Sequence, residues 1–572
     1  MRILRLVLTI LVALAPPVFS EEPLARLQGI GDAALEERIY EILGTSKAPP
    51  SNEIAIRREL RTAQDRASRF LRAQGYYAAE IMGEVDETGL PLLRITTGAQ
   101  FALDDISVET GSGAANAIAR NAIERPADNA LTAEWVLGAE AAARAALENE
   151  GWPEAEALPR DVVVDHARQV GDVRYHFRTG PFTRYGNVQL QTRGWRPAFV
   201  QRLATFESGT PARLSGLNAF ESRLEGLTSV RSALVSLGPP ENGDDIRVVN
   251  VALTPAPRHA IEATIRLSTT EGAGIGASWS RRNLFGGDET LSFTGELATL
   301  VQSIEAELSI PYWRRIDQRL ALSTGLKSED TDAFQQNEFI AGVTLFRELN
   351  EYLDLRLGAL ADISRVTDAS GERDINSLRL SSALAFDQRD NPLDPQSGVQ
   401  AALIVNPGYS FGDAEAAYFQ TEIRTSTYYP LSRHLTAAAR IRLGSIIGAS
   451  ATDIAADQRF YAGGGGSARG FEYQTLSPLG PDGAPAGGLS VTELNTELRW
   501  RGEGRWGAVA FVDTAFAGAN QAPEFDNLRT GIGLGLRYYF DFAPVRFDLA
   551  TPLDRRSGED PVHVYISIGQ AF

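Results

Sequence analysis

The chain has 572 residues, no cysteine and a formal net charge of −18 at pH 7. This length predicts two or more domains, and the absence of cysteine excludes disulfides, thiolate metal sites and thiol catalysis. The negative charge argues against a surface that binds nucleic-acid phosphates, so we expect no nucleic-acid partner.

The N-terminus has the pattern of a secretory signal peptide. Arg2 and Arg5 precede an apolar run from Leu6 to Ala15, and a plausible cleavage site ends at Ser20. We therefore predict a signal peptide over residues 1–20 that is removed on export, with a retained N-terminal helix as the alternative. No later run of about 18 apolar residues occurs, so no transmembrane helix is expected.

The next part of the chain has mixed helix and strand character and repeats about every 80 residues. A helix that ends in Leu-x-x-x-Gly is expected at Leu71, at Leu147 and at Leu234, because glycine suits the left-handed end of a helix. Exposed sheet edges of such modules could accept an extended client segment, although an arrayed spacer is the alternative. We predict three α+β modules, over residues 21–98, 99–179 and 180–257.

Residues 258–572 change to a period of two, the pattern of strands with one apolar and one polar face. The clearest examples are Leu435–Leu443, Ile532–Phe540 and Val562–Phe572. Such strands also suit a soluble sandwich or a lipocalin-type barrel. Export, the long unbroken strand region and its aromatic last residue favour a membrane barrel. At about 20 residues per strand and turn, the region predicts roughly 16 antiparallel strands.

A glycine-rich stretch, Phe460–Tyr473, interrupts the strand pattern. It contains four consecutive glycines, then Arg469 before Gly470 and Phe471. No Gly-Lys-Ser/Thr follows the glycines, so this is not a nucleotide-binding phosphate loop. A flexible surface loop is the simplest interpretation of glycine content alone.

Together these motifs resemble the BamA/TamA outer-membrane assembly superfamily, in which periplasmic POTRA modules precede a 16-stranded barrel. The family's loop, commonly Val/Ile-Arg-Gly-Phe/Tyr, is matched by Ala468–Phe471. The family's first hairpin, a recurrent turn and two acid-bearing strands are also matched. These matches are Trp279–Gly286, Asp387–Asn391, Thr496–Arg499 and Phe511–Asp513. Three predicted modules favour the TamA-like branch.

The resemblance implies that the loop arginine, Arg469, meets acids on the barrel wall. Strand alternation puts Glu497 on the polar, lumen-facing side, and Asp513 could supply a second acceptor. The planar guanidinium can hold carboxylates bidentately and stays charged. We predict that the motif Arg469, Gly470 and Phe471 pins the loop inside the barrel; the alternative is that each charge merely lines a wet lumen.

The family function implied is the insertion or translocation of β-barrel clients, such as autotransporters, through a lateral gate between the first and last barrel strands. If that seam is short, a client strand could add to the first strand, and a thinned bilayer would lower the barrier. Gln570 stands where barrel assembly signals more often have an apolar or aromatic residue. The expected seam residues are Ile261, Ile265, Leu267, Val564, Ile566, Ile568 and Phe572.

We expect no enzyme activity, cofactor or metal, because the sequence shows no nucleotide loop, metal cluster or nucleophile with its base. The expected location is the bacterial outer membrane, with the N-terminal modules in the periplasm. Expected partners are the lipid bilayer, unfolded β-barrel or autotransporter clients and a TamB-like periplasmic protein. The alternatives are a BamA-type general assembly factor, a two-partner secretion transporter that passes a polypeptide through its lumen, and a passive pore.

Overall fold

The computed structural model of the protein describes residues 22–46, 53–87, 90–240, 245–268, 272–541, 544–568 and 570–572. The predicted signal peptide lies outside these residues. No helix in the described ranges is both long and apolar enough to cross a membrane. The described residues form two compact units: one lies within 22–189, 204–221 and 235–250, the other within 190–203, 222–234 and 251–572.

The first α+β region has a three-stranded sheet in the order β2-β5-β4 and a small β1-β3 pair. Asp32 caps α1 by accepting a 2.9 Å hydrogen bond from the Ala34 N–H. At the end of α2, Gly75 has φ +88° and the Tyr76 N–H donates to the Leu71 carbonyl at 2.8 Å. The elements are β1 Glu22–Pro23, β2 Arg26–Gln28, α1 Ala33–Leu43, β3 Thr45–Ser46, α2 Glu53–Ala73, β4 Glu80–Val85 and β5 Pro91–Thr96.

The second region repeats this plan around a core that includes Leu147, Trp152 and Tyr175. Strand β9 lies between β6 and β7, and β8 also pairs with β9. Helix α4 ends as the sequence predicts, since Gly151 has φ +102° and the Trp152 N–H donates to the Leu147 carbonyl at 3.1 Å. The elements are β6 Ala102–Glu109, α3 Gly113–Asn121, α4 Ala133–Glu148, β7 Glu156–Ala157, β8 Asp161–Asp165 and β9 Val170–Arg178.

The third region has a three-stranded sheet in the order β10-β12-β11. The predicted helix end at Leu234 is wrong, because this residue lies within a strand. The preceding helix already ends at Glu225, and the valines that follow, Val230 and Val235, favour an extended backbone. The elements are β10 Arg184–Leu190, α5 Pro197–Arg202, α6 Leu214–Glu225, β11 Val230–Leu237 and β12 Ile246–Pro255.

The C-terminal half is a closed barrel of 16 antiparallel strands, β13 to β28, each paired with its neighbour in the chain. The prediction of α+β modules followed by such a barrel is confirmed. The strands are β13 His259–Ser268, β14 Gly272–Arg282, β15 Thr290–Ala298, β16 Val301–Pro311, β17 Gln318–Asp330, β18 Gln335–Asn350, β19 Leu353–Asp368, β20 Gly371–Asp387, β21 Gly398–Gly412, β22 Ala416–Ser432, β23 Leu435–Ile447, β24 Ser490–Arg501, β25 Trp506–Gly518, β26 Arg529–Tyr539, β27 Pro544–Pro552 and β28 His563–Ile568.

The two faces of the barrel wall differ in polarity. On β26, Leu534 and Leu536 point outward and are 69% and 53% exposed, whereas Arg537 points inward and is fully buried. The outward residues would contact lipid, and the inward polar residues face the lumen. The period of two in the sequence therefore reflects lipid on one side of the wall and charge on the other.

Among the described residues, few backbone pairs join the first and last strands. Strand β13 pairs with β14 over ten residues, from His259 to Ser268. Against β28 the described residues show two pairs, Leu267 with Ile566 and Ser268 with Tyr565. We call this closure the seam; within the described ranges it has far fewer backbone pairs than the joint between β13 and β14.

Candidate functional site inside the barrel

A connection of residues 448–489, between β23 and β24, folds into the barrel lumen; we call it the lumen loop. It contains two short 3-10 turns, Ala451–Asp453 and Ala456–Gln458. Its residues Phe460, Ala468 and Phe471 are almost fully buried. They pack with inward-facing residues of β24 and β25. The loop is thus part of the barrel core, unlike a flexible surface loop.

Two glycines permit the close approach of the loop to the wall. Gly470 has φ +97°, where a side chain would be strained, and an added Cβ would lie 3.0 Å from the Thr551 carbonyl carbon. On the wall, a Cβ at Gly531 of β26 would lie 1.9 Å from the Arg469 carbonyl oxygen. Glycine at 531 is therefore needed for the loop backbone to rest on β26.

Arg469 is the centre of the site and is almost fully buried. Its Nε donates to Asp513 Oδ2 at 2.7 Å and its Nη2 to Asp513 Oδ1 at 3.1 Å. Its Nη1 lies 2.8 Å from Glu497 Oε1 and 3.1 Å from Asp548 Oδ2. The guanidinium also stacks on Phe511, with Cζ 3.5 Å from the ring centroid. The structure brings Arg469, Glu497 and Asp513 together.

Two further arginines contact the carboxylates that surround Arg469. Arg499 Nε lies 2.7 Å from Glu497 Oε2, and Arg537 Nη1 lies 2.5 Å from Asp548 Oδ1. The lumen charge cluster, as we name it, therefore holds three guanidiniums and three carboxylates. Its members are Arg469, Glu497, Arg499, Asp513, Arg537 and Asp548.

Sequence reasoning missed Asp548 as a partner of the loop. Asp548 lies on β27, where Phe547 and Leu549 point outward and are 38% and 44% exposed. An acid between apolar neighbours in a strand was the available signal, since it marks the lumen-facing side. The contact with Arg469 spans 79 positions in the chain, so spacing alone could not reveal it.

The residues that follow Arg469 reach the last barrel strand. The Gly470 N–H donates to the Tyr565 hydroxyl at 3.1 Å, and that hydroxyl donates to the Phe471 carbonyl at 3.2 Å. Tyr565 belongs to β28 and pairs with Ser268 across the seam. One tyrosine therefore contacts the lumen loop through its side chain and the first strand through its backbone.

Phe471 is held by a second charged group near the outer end of the barrel. Arg529 lies with Cζ 5.0 Å from the Phe471 ring centroid. The same guanidinium contacts Asp554 at 2.8 Å and Glu559 at 2.9 Å. Its hydrogen bond holds the pKa of the Glu559 carboxyl below its ordinary value. The carboxylates therefore hold Arg529 against the aromatic ring of the loop motif.

The lumen loop has a second anchor on another part of the wall. Arg459 Nη2 lies 2.7 Å from Asp368 Oδ2 of β19, and both side chains are almost fully buried. Gln458 accepts a 2.7 Å hydrogen bond from the Tyr418 hydroxyl of β22 and donates to Ser377 of β20 at 3.2 Å. Sequence reasoning missed this anchor. The loop thus joins strands β19–β22 to strands β24–β28 across the lumen.

The predicted seam residues occupy different places. Leu267 and Ile566 face each other across the seam. Ile261 lies near the start of β13, six residues before Leu267. It pairs with Trp279 of β14 and is highly exposed on the outer face. The other predicted members pair with neighbouring strands: Ile265 with Ile275, Val564 with Leu549 and Ile568 with Val545.

Phe572 lies past the end of β28 and inside the lumen. Its ring has the Arg499 Cζ at 5.2 Å and the Arg440 Cζ at 5.4 Å from its centroid. Arg499 Nη2 donates to its carbonyl at 3.1 Å. Gln570 is also turned inward, where it accepts from Arg537 at 3.1 Å and donates to Asp394 at 2.8 Å. The polar side chain at position 570 therefore has polar partners in the lumen.

The contacts of this arrangement hold the lumen loop against the barrel wall. The described residues contain no grouping of three or more His, Cys, Asp or Glu side chains that could hold a metal ion. The lumen charge cluster instead binds one segment of the chain to several strands. Breaking a buried pair of this kind costs about 3–5 kcal/mol, because the remaining charge stays buried without its partner.

A closed 16-stranded barrel, apolar outside and charged inside, with α+β modules ahead of it, defines an outer-membrane β-barrel protein. A family model for the Omp85 superfamily domain matches residues 283–572. The chain belongs to the Omp85 superfamily. Its barrel lies in the bacterial outer membrane and its N-terminal modules lie in the periplasm.

Individual relatives are distant. The chain is 23% identical over 388 residues to the outer membrane protein assembly factor BamA of Nitratidesulfovibrio vulgaris, a match that covers 65% of this chain and 48% of that protein. The chain therefore spans about half the length of this curated relative. The crystal structure of Haemophilus ducreyi BamA lacking POTRA domains 1–3 has a TM-score of 0.72 at 15% identity, over 82% of this chain and all of that one. CdiB from Acinetobacter baumannii has a TM-score of 0.46 at 14% identity, over 82% of this chain and 89% of that one.

Proposed function

We propose that this protein assembles client β-barrels in the outer membrane by adding client strands at the seam between β13 and β28. The observation that carries the proposal is the seam itself, with two backbone pairs among the described residues. A joint with so few pairs can open while the other fifteen remain intact. An opened β13 edge would offer unpaired N–H and C=O groups to a client strand.

The lumen loop supports a defined rest position for the last strand. Tyr565 of β28 contacts the backbone of Gly470 and Phe471, and Arg469 is fixed to β24, β25 and β27. We propose that Arg469, Gly470 and Phe471 pin the loop, with Glu497, Asp513 and Asp548 as the acid partners. On this account the loop keeps β28 in register while β13 exchanges partners.

We further propose the TamA-like branch, with autotransporters among the clients and a TamB-like periplasmic partner. The prediction of three modules supports this branch, and the sheets of the α+β regions have edges that could receive an extended segment of a client or partner. Insertion would be driven by the folding free energy of the client and requires no catalytic step. Of the residues expected at the seam, Leu267 and Ile566 pair across it; we propose that Ile261, Ile265, Val564 and Ile568 flank it on β13 and β28 and that Phe572 follows it inside the lumen.

A BamA-type general assembly factor is the second candidate. The similarity of the chain to the BamA assembly factor of Nitratidesulfovibrio vulgaris favours it. A transporter that passes a polypeptide through its lumen is less favoured, because the lumen loop, Gln570 and Phe572 all lie within the barrel.

Depletion of the protein, followed by a quantitative inventory of outer-membrane proteins, tests the proposal. The expected result is loss of a subset that includes autotransporters, with most other barrels retained and with recovery on re-expression. Loss of nearly all barrels would identify the general factor. An unchanged inventory would overturn an assembly role.

A further inference from the structure

A basic cavity lies at the periplasmic end of the first barrel hairpin. It has a volume of about 420 Å³ and is lined by residues of the β14–β15 turn together with Arg196 and Arg258. Its arginines are Arg196, Arg258, Arg281 and Arg282. Four cations around one cavity stand out in a chain with a net charge of −18.

The acids of this turn are already engaged by other groups. Glu289 lies 2.6 Å from Arg196 and accepts from the Gly287 N–H at 2.8 Å. Asp288 accepts from Thr228 and Ser229, the latter at 2.8 Å. In the described parts of the chain, the guanidiniums of Arg258, Arg281 and Arg282 have no ion-pair partner. The cavity therefore carries uncompensated positive charge.

The outer face beside the cavity marks the boundary of the membrane. Trp279 packs on His259 and Phe293, with ring centroids 5.4 and 5.9 Å apart. Arg281 follows Trp279 on the same face of β14, one step nearer the periplasm, where it pairs with His259. Aromatic side chains followed by a cation form the arrangement that proteins place at the level of lipid headgroups.

An exposed aromatic residue also lines the cavity. Phe285, in the β14–β15 turn, is 60% exposed. An apolar ring next to free guanidiniums suits a ligand with a charged head and an apolar body. The planar guanidinium matches the oxygens of a phosphate group, which it can bind bidentately.

We propose that this cavity binds the phosphate group of a phospholipid headgroup in the periplasm-facing leaflet of the outer membrane. Arg281 contacts the phosphate from the membrane side, Arg258 and Arg282 add positive charge from the cavity behind it, and Phe285 lies against the glycerol and upper acyl region. The bound lipid then sits beside β13 and β14. This inference depends on the membrane location of the barrel and not on its assembly function.

The experiment counts phospholipids retained by the full chain. Wild-type protein in detergent is mixed with dioctanoyl phosphatidylglycerol, and adducts are measured by native mass spectrometry. The matched variants are R281Q/R282Q and R433Q/R505Q; the second pair removes two arginines from other turns at the same end of the barrel. The gel mobility of unheated protein verifies that each barrel is folded, and the single variant R281Q serves if the double variant is unfolded.

We expect a one-to-one lipid adduct of equal strength on wild type and on R433Q/R505Q. In R281Q/R282Q the lipid affinity should fall about five-fold for each arginine removed from the cavity. Inorganic phosphate, in a parallel titration, should displace this lipid poorly, because it cannot contact Phe285. Equal lipid retention by R281Q/R282Q and R433Q/R505Q would overturn the site. Displacement by inorganic phosphate as effective as by unlabelled lipid would overturn the lipid assignment and identify a small-anion site.

Discussion

Arg469 shows why a single cation can organise a 42-residue loop (448–489). It contacts three carboxylates on three strands, Glu497, Asp513 and Asp548. Since all these groups are buried, each depends on the others for compensation of its charge. A charge swap that combines Arg469→Glu with Glu497→Arg would therefore not rebuild these contacts. The new glutamate at position 469 would lie beside the carboxylates of Asp513 and Asp548.

Replacement of Asp548 by Asn tests the member that sequence reasoning missed. Loss of this carboxylate leaves Arg469 and Arg537 with excess buried charge, so we expect a decrease of about 3 kcal/mol in the free energy of unfolding. The measurement is urea unfolding of the reconstituted barrel, followed by the mobility of unheated protein in gels. Asp354→Asn, on an exposed strand position, is the control; equal losses for both variants would contradict the special role of Asp548.

Gly531→Ala tests the contact between the loop backbone and β26. The new Cβ would lie 1.9 Å from the Arg469 carbonyl oxygen, so the loop must move away from the wall. We expect Arg469 to become accessible to trypsin in the folded barrel. Gly276→Ala is the matched control, because its new Cβ has no neighbour closer than 3.6 Å. Equal resistance of the two variants to trypsin would show that the loop does not rest on Gly531.

At the scale of elements, the lumen loop and the last strand form one connected part. Tyr565 donates to and accepts from the loop backbone, while its own backbone belongs to the seam. Tyr418 makes an equivalent hydroxyl contact with Gln458 at the other anchor of the loop. The two tyrosines thus offer a matched comparison of the two ends.

Tyr565→Phe should loosen β28 without unfolding the barrel. Removal of the hydroxyl leaves the Gly470 N–H unpaired in a buried site, at a cost of about 1–3 kcal/mol. We expect faster amide exchange in β28 and in residues 470–471. Tyr418→Phe should raise exchange near Gln458 and leave β28 unchanged. Unchanged exchange of β28 in Tyr565→Phe would contradict coupling between the loop and the seam.

The sequence predicted those elements whose pattern is local. Period-two strands follow from lipid on one face and charge on the other, and the ends of α2 and α4 follow from Gly75 and Gly151. The Leu-x-x-x-Gly spacing at Leu234 predicts a helix end, and this prediction is wrong. The same spacing is also compatible with a strand followed by a turn, as the structure has it. A short motif of this kind needs support from the residues before it.

Contacts across the lumen could not be predicted from spacing. Phe572 meets Arg440 of β23 and Arg499 of β24, which are brought to the end of β28 by closure of the barrel. The Arg459–Asp368 anchor has the same origin, since it spans 91 positions in the chain. Such pairs depend on the path of a loop through the lumen, which alternation along a strand does not encode.

For the whole molecule, the proposed function requires the barrel wall to open at the seam. The chain has no native cysteine, so an introduced pair forms a single defined crosslink. Directly opposed residues of antiparallel strands have Cα atoms about 4.5–5.5 Å apart, within the range of about 4.4–6.8 Å that a disulfide spans. Leu267 and Ile566 are such a pair at the seam, and Ile304 and Leu326 are such a pair in the wall between β16 and β17.

The most direct measurement compares client assembly by L267C/I566C and by I304C/L326C, each oxidised and then reduced. We predict that oxidation stops assembly of autotransporter clients by L267C/I566C, that reduction restores it, and that I304C/L326C remains active in both states. Full client assembly by oxidised L267C/I566C, with the crosslink verified by mass spectrometry, would contradict opening at the seam.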